Sequence, residues 1–183
     1  MAKFIGNFFA GKWDSIIDAL YVEEGKANSP DKKFYLNSDG RFNNMIKTWK
    51  QAGYDQCDSV EWINYYPQQH FSQDVITNFE KWSNTTCARA WISRIRPGKM
   101  APFHQDIDDQ IETYLAQGEL VRYSVLISKP SHGGIFLFYN KIYHLEPQGT
   151  VIKWDNYMDW HAGTNCGLTD KFMFHFLGVK NEK

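Results

Sequence analysis

From Ala88 to Val179 the chain is a succession of short apolar runs, rich in β-branched and aromatic residues and divided by Gly, Pro and Asn turns. The runs are Ala88 to Ile95, Leu120 to Ser128, Ile135 to Tyr139, Lys141 to Leu145, Thr150 to Trp154 and Lys171 to Val179. Arg96-Pro97-Gly98-Lys99, Ser131-His132-Gly133-Gly134 and Glu146-Pro147-Gln148-Gly149 separate them as turns, and Gly163 to Asp170 reads as the loop before the last run. Short strands punctuated in this way are the signature of a jelly roll or cupin-like barrel. A metal or small ligand would sit at its mouth.

His104-Gln105-Asp106 and the later His161, in Tyr157-Met158-Asp159-Trp160-His161, supply the groups for such a site. Residues i and i+2 of an extended segment project to the same side, so His104 and Asp106 can grip one metal while Gln105 points away. Two imidazoles and one carboxylate, with the third ligand brought in from another strand, make the facial triad that leaves coordination positions open on non-haem Fe(II). That pattern points to an oxygenase.

Residues Ala90 to Val179, about half of the chain, resemble the double-stranded β-helix of Fe(II)/2-oxoglutarate dioxygenases, and within them the aspartyl/asparaginyl/prolyl β-hydroxylase family. The resemblance runs through Ser93, Pro97-Gly98, His104, Arg122-Tyr123-Ser124, Gly149-Thr150-Val151-Ile152-Lys153-Trp154-Asp155, His161 and the closing strand. It implies a mostly β fold with flanking α-helices around a double-stranded β-helix, jelly-roll, cupin-like core. His104, Asp106 and His161 are then the catalytic metal ligands. The cosubstrate 2-oxoglutarate is held by Lys171, Ser93, Arg122 and Ser124. Lys171 stands where the family usually has an arginine, and it offers a point charge in place of a bidentate fork. Ser124 stands where the family often has a histidine. Either Lys171 or Arg122 can be the main anchor of the cosubstrate.

The chemistry needs these residue types. Molecular oxygen binds beside a chelating 2-oxo acid, so the protein occupies only three iron positions, and the far carboxylate of the cosubstrate requires a buried cation. The cofactor carries the hard step while the protein supplies position and keeps water out. Trp91, Trp154, Tyr157 and Trp160 are candidates for the walls. The implied function is an Fe(II)- and 2-oxoglutarate-dependent dioxygenase that uses O2 to hydroxylate a carbon of an amino acid, free or within a polypeptide, releasing succinate and CO2. The alternatives are an oxygenase of another small metabolite and a non-catalytic cupin-like protein that holds metal or ligand. His175 shares the parity of Lys171 but lies about 13 Å farther along the strand, which reads as a core histidine. His70, His132 and His144 have no partner at ligand spacing.

A chain of 183 residues, 43% hydrophobic and 16% aromatic, can bury a sizeable core as one domain without disulfides. A single domain over 1–183 is expected, with 1–85 mainly a helical buttress and 86–183 the β-helix core. In the first part, Trp13 to Glu24, Arg41 to Ala52 and Ser72 to Trp82 carry apolar residues at helical spacing, with Ser72 as an N-cap. A formal net charge of −1 gives no case for nucleic-acid or membrane binding. Cys57, Cys87 and Cys166 lack the spacing of a disulfide framework or zinc knuckle, so a reducing, cytoplasmic setting fits. The apolar stretch within Met1 to Asp14 is too short for a signal peptide or membrane span. Between the triad and the next run, Ile107 to Glu119 carries Asp108, Asp109, Glu112 and Glu119. It reads either as a solvated face or as a mobile lid that favours a basic or neutral substrate.

Overall fold

The computed structural model describes residues 3–9, 13–24, 32–34, 43–54, 59–67, 70–106, 110–138, 141–154 and 156–181. Within them the chain runs β1 (Lys3–Asn7), α1 (Trp13–Glu24), β2 (Lys32–Phe34), α2 (Asn43–Gln51), β3 (Trp62–Tyr65), α3 (Gln73–Ser83), β4 (Thr85–Ile95) and β5 (Lys99–His104). It continues through α4 (Ile111–Leu115), β6 (Leu120–Leu126), β7 (Gly134–Phe138), β8 (Lys141–His144), β9 (Thr150–Lys153), β10 (His161–Asn165) and β11 (Lys171–Lys180). A major sheet has the order β1-β9-β6-β11-β4-β3-β2 and a minor sheet the order β5-β10-β7-β8. From β4 to β11 the chain crosses repeatedly between the two sheets, leaving β9-β6-β11-β4 facing β5-β10-β7-β8. That alternation is the double-stranded β-helix, and the protein is mostly β with helices on one flank. No helix among the described residues is long and apolar enough to cross a membrane.

Strand alternation sorts the residues of the major sheet. On β11, Phe172, Phe174 and Phe176 face outward and pack with Ile92 of β4, Tyr123 and Val125 of β6, and Trp13, Leu20, Val75, Ile76 and Phe79 of α1 and α3. Met173, on the other parity, packs between the sheets with Phe136, Phe138, Ile152 and Trp154. Because both faces of this sheet are covered, its strands read as near-continuous apolar runs. The three helical stripes seen in the sequence form helices, and Ser72 caps α3 by accepting from the Asp74 N–H at 3.1 Å. Asn84 closes that helix in the left-handed conformation, its N–H donating to the Glu80 carbonyl. Of the stripe expected in α2, Trp49 is buried on Val60; Phe42, Met45 and Ile46 lie outside the described side chains.

Two differences from the sequence reading matter for the site. The N-terminal part is more than a helical buttress, since β1, β2 and β3 extend the major sheet at its two edges. The stretch Gly163 to Asp170 is not wholly loop: β10 runs to Asn165, paired on one side with β5 and on the other with β7. Glycine at 163 weakens the sequence signal for a strand, and the structure supplies the reason for it. A Cβ at Gly163 would lie 2.7 Å from Ile95 Cδ1 and 3.5 Å from Lys171 Nζ.

Candidate metal centre

His104 ends β5 and His161 begins β10, directly opposite each other in the antiparallel register. The register shifts between His161 and Gly163, so that Pro102 and Phe103 bulge against a single residue of β10. A bulge of this kind re-aims a side chain. Here it turns the His104 ring inward and brings its Nδ1 to 2.5 Å from the Pro102 carbonyl. The His161 Nδ1 lies 3.2 Å from the Asp159 carbonyl. A carbonyl only accepts, so each ring carries its proton on Nδ1 and offers the Nε2 lone pair. Those Nε2 atoms lie 3.5 and 3.6 Å from the two oxygens of Asp106.

Asp106 follows His104 by two residues, and the three ligand atoms lie within 4.8 Å of one another. Arg122 of β6 forms an ion pair with its carboxylate. The guanidinium lies 3.8 Å from the centre of the Trp154 ring and 5.1 Å from that of Trp91. Burial alone would raise the Asp106 pKa, but Arg122, His161 and His104 outweigh it and hold the carboxyl well below its usual range. His161 is held well below the ordinary histidine value, first by burial and then by His104 and Arg122. An ionised carboxylate and a neutral imidazole are the states that ligate a metal.

Two donors each about 2.1 Å from one ion lie about 3.0 to 3.4 Å apart. The 3.5 and 3.6 Å separations therefore need only a few tenths of an ångström of closure. Two imidazoles with one carboxylate fit a divalent first-row metal better than calcium or magnesium, which prefer all-oxygen sets. Aromatic rings hold the ligands from outside: Trp62 stacks on His104 with centroids 5.9 Å apart, and Trp154 meets His161 edge-on at 4.6 Å. Trp49 of α2 donates its indole N–H to the Phe103 carbonyl at 3.1 Å, pinning the bulge. Gln105 points away from the centre, as expected, and donates to the Met158 carbonyl at 2.6 Å, tying down the turn that leads to His161.

A cavity of about 1050 Å³, its open mouth included, lies between the sheets and contains the three ligand residues in its lining. Arg122, Ser93 and His175 also line it, with Trp91 and Tyr157 in the walls. Lys171 lies just behind the wall at Gly163. Its ammonium donates to the Ile135 carbonyl, and no carboxylate pairs with it among the described residues. Burial pushes its pKa down to about 7. Ser124 is fully buried and reaches the cavity only through His175, whose Nδ1 lies 3.0 Å from its Oγ.

The structure thus brings His104, Asp106, His161, Arg122 and Ser93 to one cavity, with Lys171 and Ser124 immediately behind its lining. Trp160 faces outward instead, stacked on Phe103 with centroids 5.5 Å apart and 40 % exposed. It precedes an inward-facing histidine and so takes the opposite face. Trp154 is buried beneath Arg122. His175 is buried, as the sequence suggested, yet it also lines the cavity, because the cavity runs along β11 past Met173 to Leu177. Its shared parity with Lys171 was the signal. Trp62 and Asn64 of β3 carried no comparable mark in the sequence. Of the acidic segment, 107–109 lies outside the described residues; Ile111 lines the cavity and Glu112 is exposed.

No family model matches the sequence, and no curated protein matches it. Among solved structures, a 2OG-Fe(II) oxygenase family oxidoreductase from Burkholderia pseudomallei is 13% identical with a TM-score of 0.45, over 93% of this chain and 92% of that one. A viral collagen prolyl hydroxylase from Paramecium Bursaria Chlorella virus-1 is 17% identical with a TM-score of 0.44, over 87% and 99%. A cupin domain from Bordetella pertussis is 11% identical with a TM-score of 0.35, over 51% and 81%. All three TM-scores lie below 0.5, and the reading of the site rests on its own geometry.

Proposed function

We propose that the protein is an Fe(II)- and 2-oxoglutarate-dependent dioxygenase that hydroxylates a carbon of an amino acid, free or within a polypeptide. One observation carries this reading: the His104, Asp106 and His161 donors converge at one cavity, and behind the wall of that cavity lies a buried ammonium, Lys171, bonded only to a carbonyl among the described residues. A buried cation without an anion is costly. A dicarboxylate cosubstrate would complete it.

In this reading His104, Asp106 and His161 hold the iron, which supplies activation of dioxygen, coupled to loss of CO2 from 2-oxoglutarate and oxidation of a substrate carbon. Lys171 neutralises the distal carboxylate of the cosubstrate and Ser93 donates a hydrogen bond beside it. Arg122 keeps Asp106 ionised and fixes its orientation. Ile95, Ala101 and Met173 supply apolar wall that keeps water from the cosubstrate. The substrate enters past Asn64, Tyr66 and Arg89, whose amide, phenol and guanidinium suit the carboxylate, amide and amine groups of an amino acid or peptide.

The test is incubation of iron(II)-loaded protein with 2-oxoglutarate, O2 and a panel of amino acids and peptides. Succinate formed in step with a product heavier by one oxygen supports the proposal. Stoichiometric iron binding with no succinate under any condition would make this a metal-binding protein instead.

A further inference from the structure

Four side chains, three from strands and one just past a fourth, form a hydrogen-bonded row that runs from the core to the cavity. The Trp154 indole N–H, just past β9, lies 3.0 Å from Ser124 Oγ; Ser124 Oγ lies 3.0 Å from His175 Nδ1; and His175 Nε2 lies 2.8 Å from Ser93 Oγ. All four residues are buried, and His175 and Ser93 also line the cavity. Cross-strand register sets the row, for His175 lies opposite Ser124 on one side and opposite Trp91 on the other. Trp91 stacks flat on the His175 ring, centroids 5.0 Å apart and planes 19° apart, which fixes the ring's orientation.

The row has a direction. An indole N–H only donates, so Trp154 takes a lone pair of Ser124 Oγ. The Ser124 hydroxyl hydrogen then has one acceptor among the described residues, His175 Nδ1. Were Nδ1 protonated, that hydrogen would be fully buried with nothing to accept it, an arrangement that native interiors avoid. His175 is therefore protonated on Nε2, and Nε2 donates to Ser93 Oγ. With its oxygen accepting, Ser93 has its hydroxyl hydrogen left for the cavity. Ser93 lies opposite Met173, two pairs along the ladder from Lys171 opposite Ile95 and so on the same face of the sheet.

We infer that His175 is a positioning residue that orients Ser93 as a hydrogen-bond donor, so that Ser93 and Lys171 both present donors to the distal end of the cosubstrate and favour a carboxylate over a carboxamide there. This rests on the proposed function for the identity of the ligand, but the direction of the row does not. A carboxylate is acceptor-only and satisfies both donors. A carboxamide would bring its own N–H groups against a hydroxyl hydrogen and an ammonium.

Two measurements test it. The ring nitrogens of His175 are read in the metal-free wild-type protein by 15N NMR, with assignment by loss of the signal in H175Q; Nε2 protonated and Nδ1 bare is the expected result. Binding of N-oxalylglycine, an unreactive isostere of 2-oxoglutarate, is compared with that of its terminal glycinamide analogue in manganese-loaded wild type and H175F. The wild type should prefer the acid by at least about a hundredfold, as polar sites do when a required pairing is lost. H175F keeps an aromatic ring beside Trp91 but removes the Nε2–H that orients Ser93, and it replaces no metal ligand, so its preference should fall below about tenfold with manganese affinity unchanged. Protonated Nδ1 in the wild type overturns the row's direction and leaves the cosubstrate reading standing. An undiminished preference in H175F overturns the link from His175 to selectivity. Failure of N-oxalylglycine to bind the wild type at all overturns the carboxylate step together with the cosubstrate reading, whatever the tautomer.

Discussion

Lys171 is 6 % exposed, and its ammonium has a carbonyl for company where most buried lysines have an acid. Burial lowers its pKa to about 7, below the ordinary value of about 10.4. Between those two values the unfolded chain binds more protons than the folded one, so stability rises with pH across that window. K171M should accordingly unfold at higher urea than the wild type at pH 6, with the gap closing as the pH approaches about 10. Binding of 2-oxoglutarate runs the other way, because it needs the charged ammonium. Its affinity should fall above about pH 7, by up to about tenfold per unit, since each binding event must then take up a proton. His175 stays neutral throughout, held down to about 3 by burial and Arg122. K171M should lose that pH slope and weaken 2-oxoglutarate by at least about tenfold, or about 1.4 kcal/mol. A variant that is more stable yet binds 2-oxoglutarate as well as before would remove Lys171 from the site. His161→Ala belongs to the same scale: it deletes one of three ligands and should abolish retention of stoichiometric iron along with turnover, measured by metal analysis after desalting.

At the scale of elements, what could be read in the sequence and what could not divide along physical lines. Strands β4, β6, β9 and β11 were legible because they are long or apolar on both faces. β5 and β10 were harder, although they hold two of the three metal ligands. Pro102 removes a backbone donor from β5, and Gly163 gives β10 no side chain to declare itself; both residues serve local geometry that only the folded sheet reveals. The His-x-Asp spacing was legible since same-side projection at i and i+2 is a property of extended chain itself. Trp62 and Asn64 were not, because their approach depends on β3 pairing with β4, a long-range event. The helices can be tested apart from the site. Phe79 of α3 is wholly buried, with the Phe176 ring 4.7 Å and the Phe8 ring 4.9 Å from its own. Phe79→Ala should cost about 3–5 kcal/mol by chemical denaturation. Since this core covers the outer face of the sheet, metal affinity of the folded protein should not change.

For the whole molecule, the division of labour between the two sheets matters. His104 and His161 come from the minor sheet, while Arg122, Ser93, Lys171 and His175 come from the major one. A metal bound to the folded form alone stabilises it by about 2.7 kcal/mol at a hundredfold excess over its dissociation constant. The apparent melting temperature should therefore climb with added iron(II) or manganese(II) in the wild type and stay flat in His161→Ala. The aromatic packing around the ligands carries a practical corollary. Trp62 stacks on one coordinating imidazole, Trp49 meets it edge-on and Trp154 abuts the other, with centroids 4.6 to 6.0 Å apart, so three of the seven tryptophans are fluorophores beside the coordination sphere. An open-shell ion such as cobalt(II) should dim the intrinsic emission in proportion to occupancy, whereas closed-shell zinc(II) should leave it nearly intact. The protein would then report its own metal content as light, with no label attached.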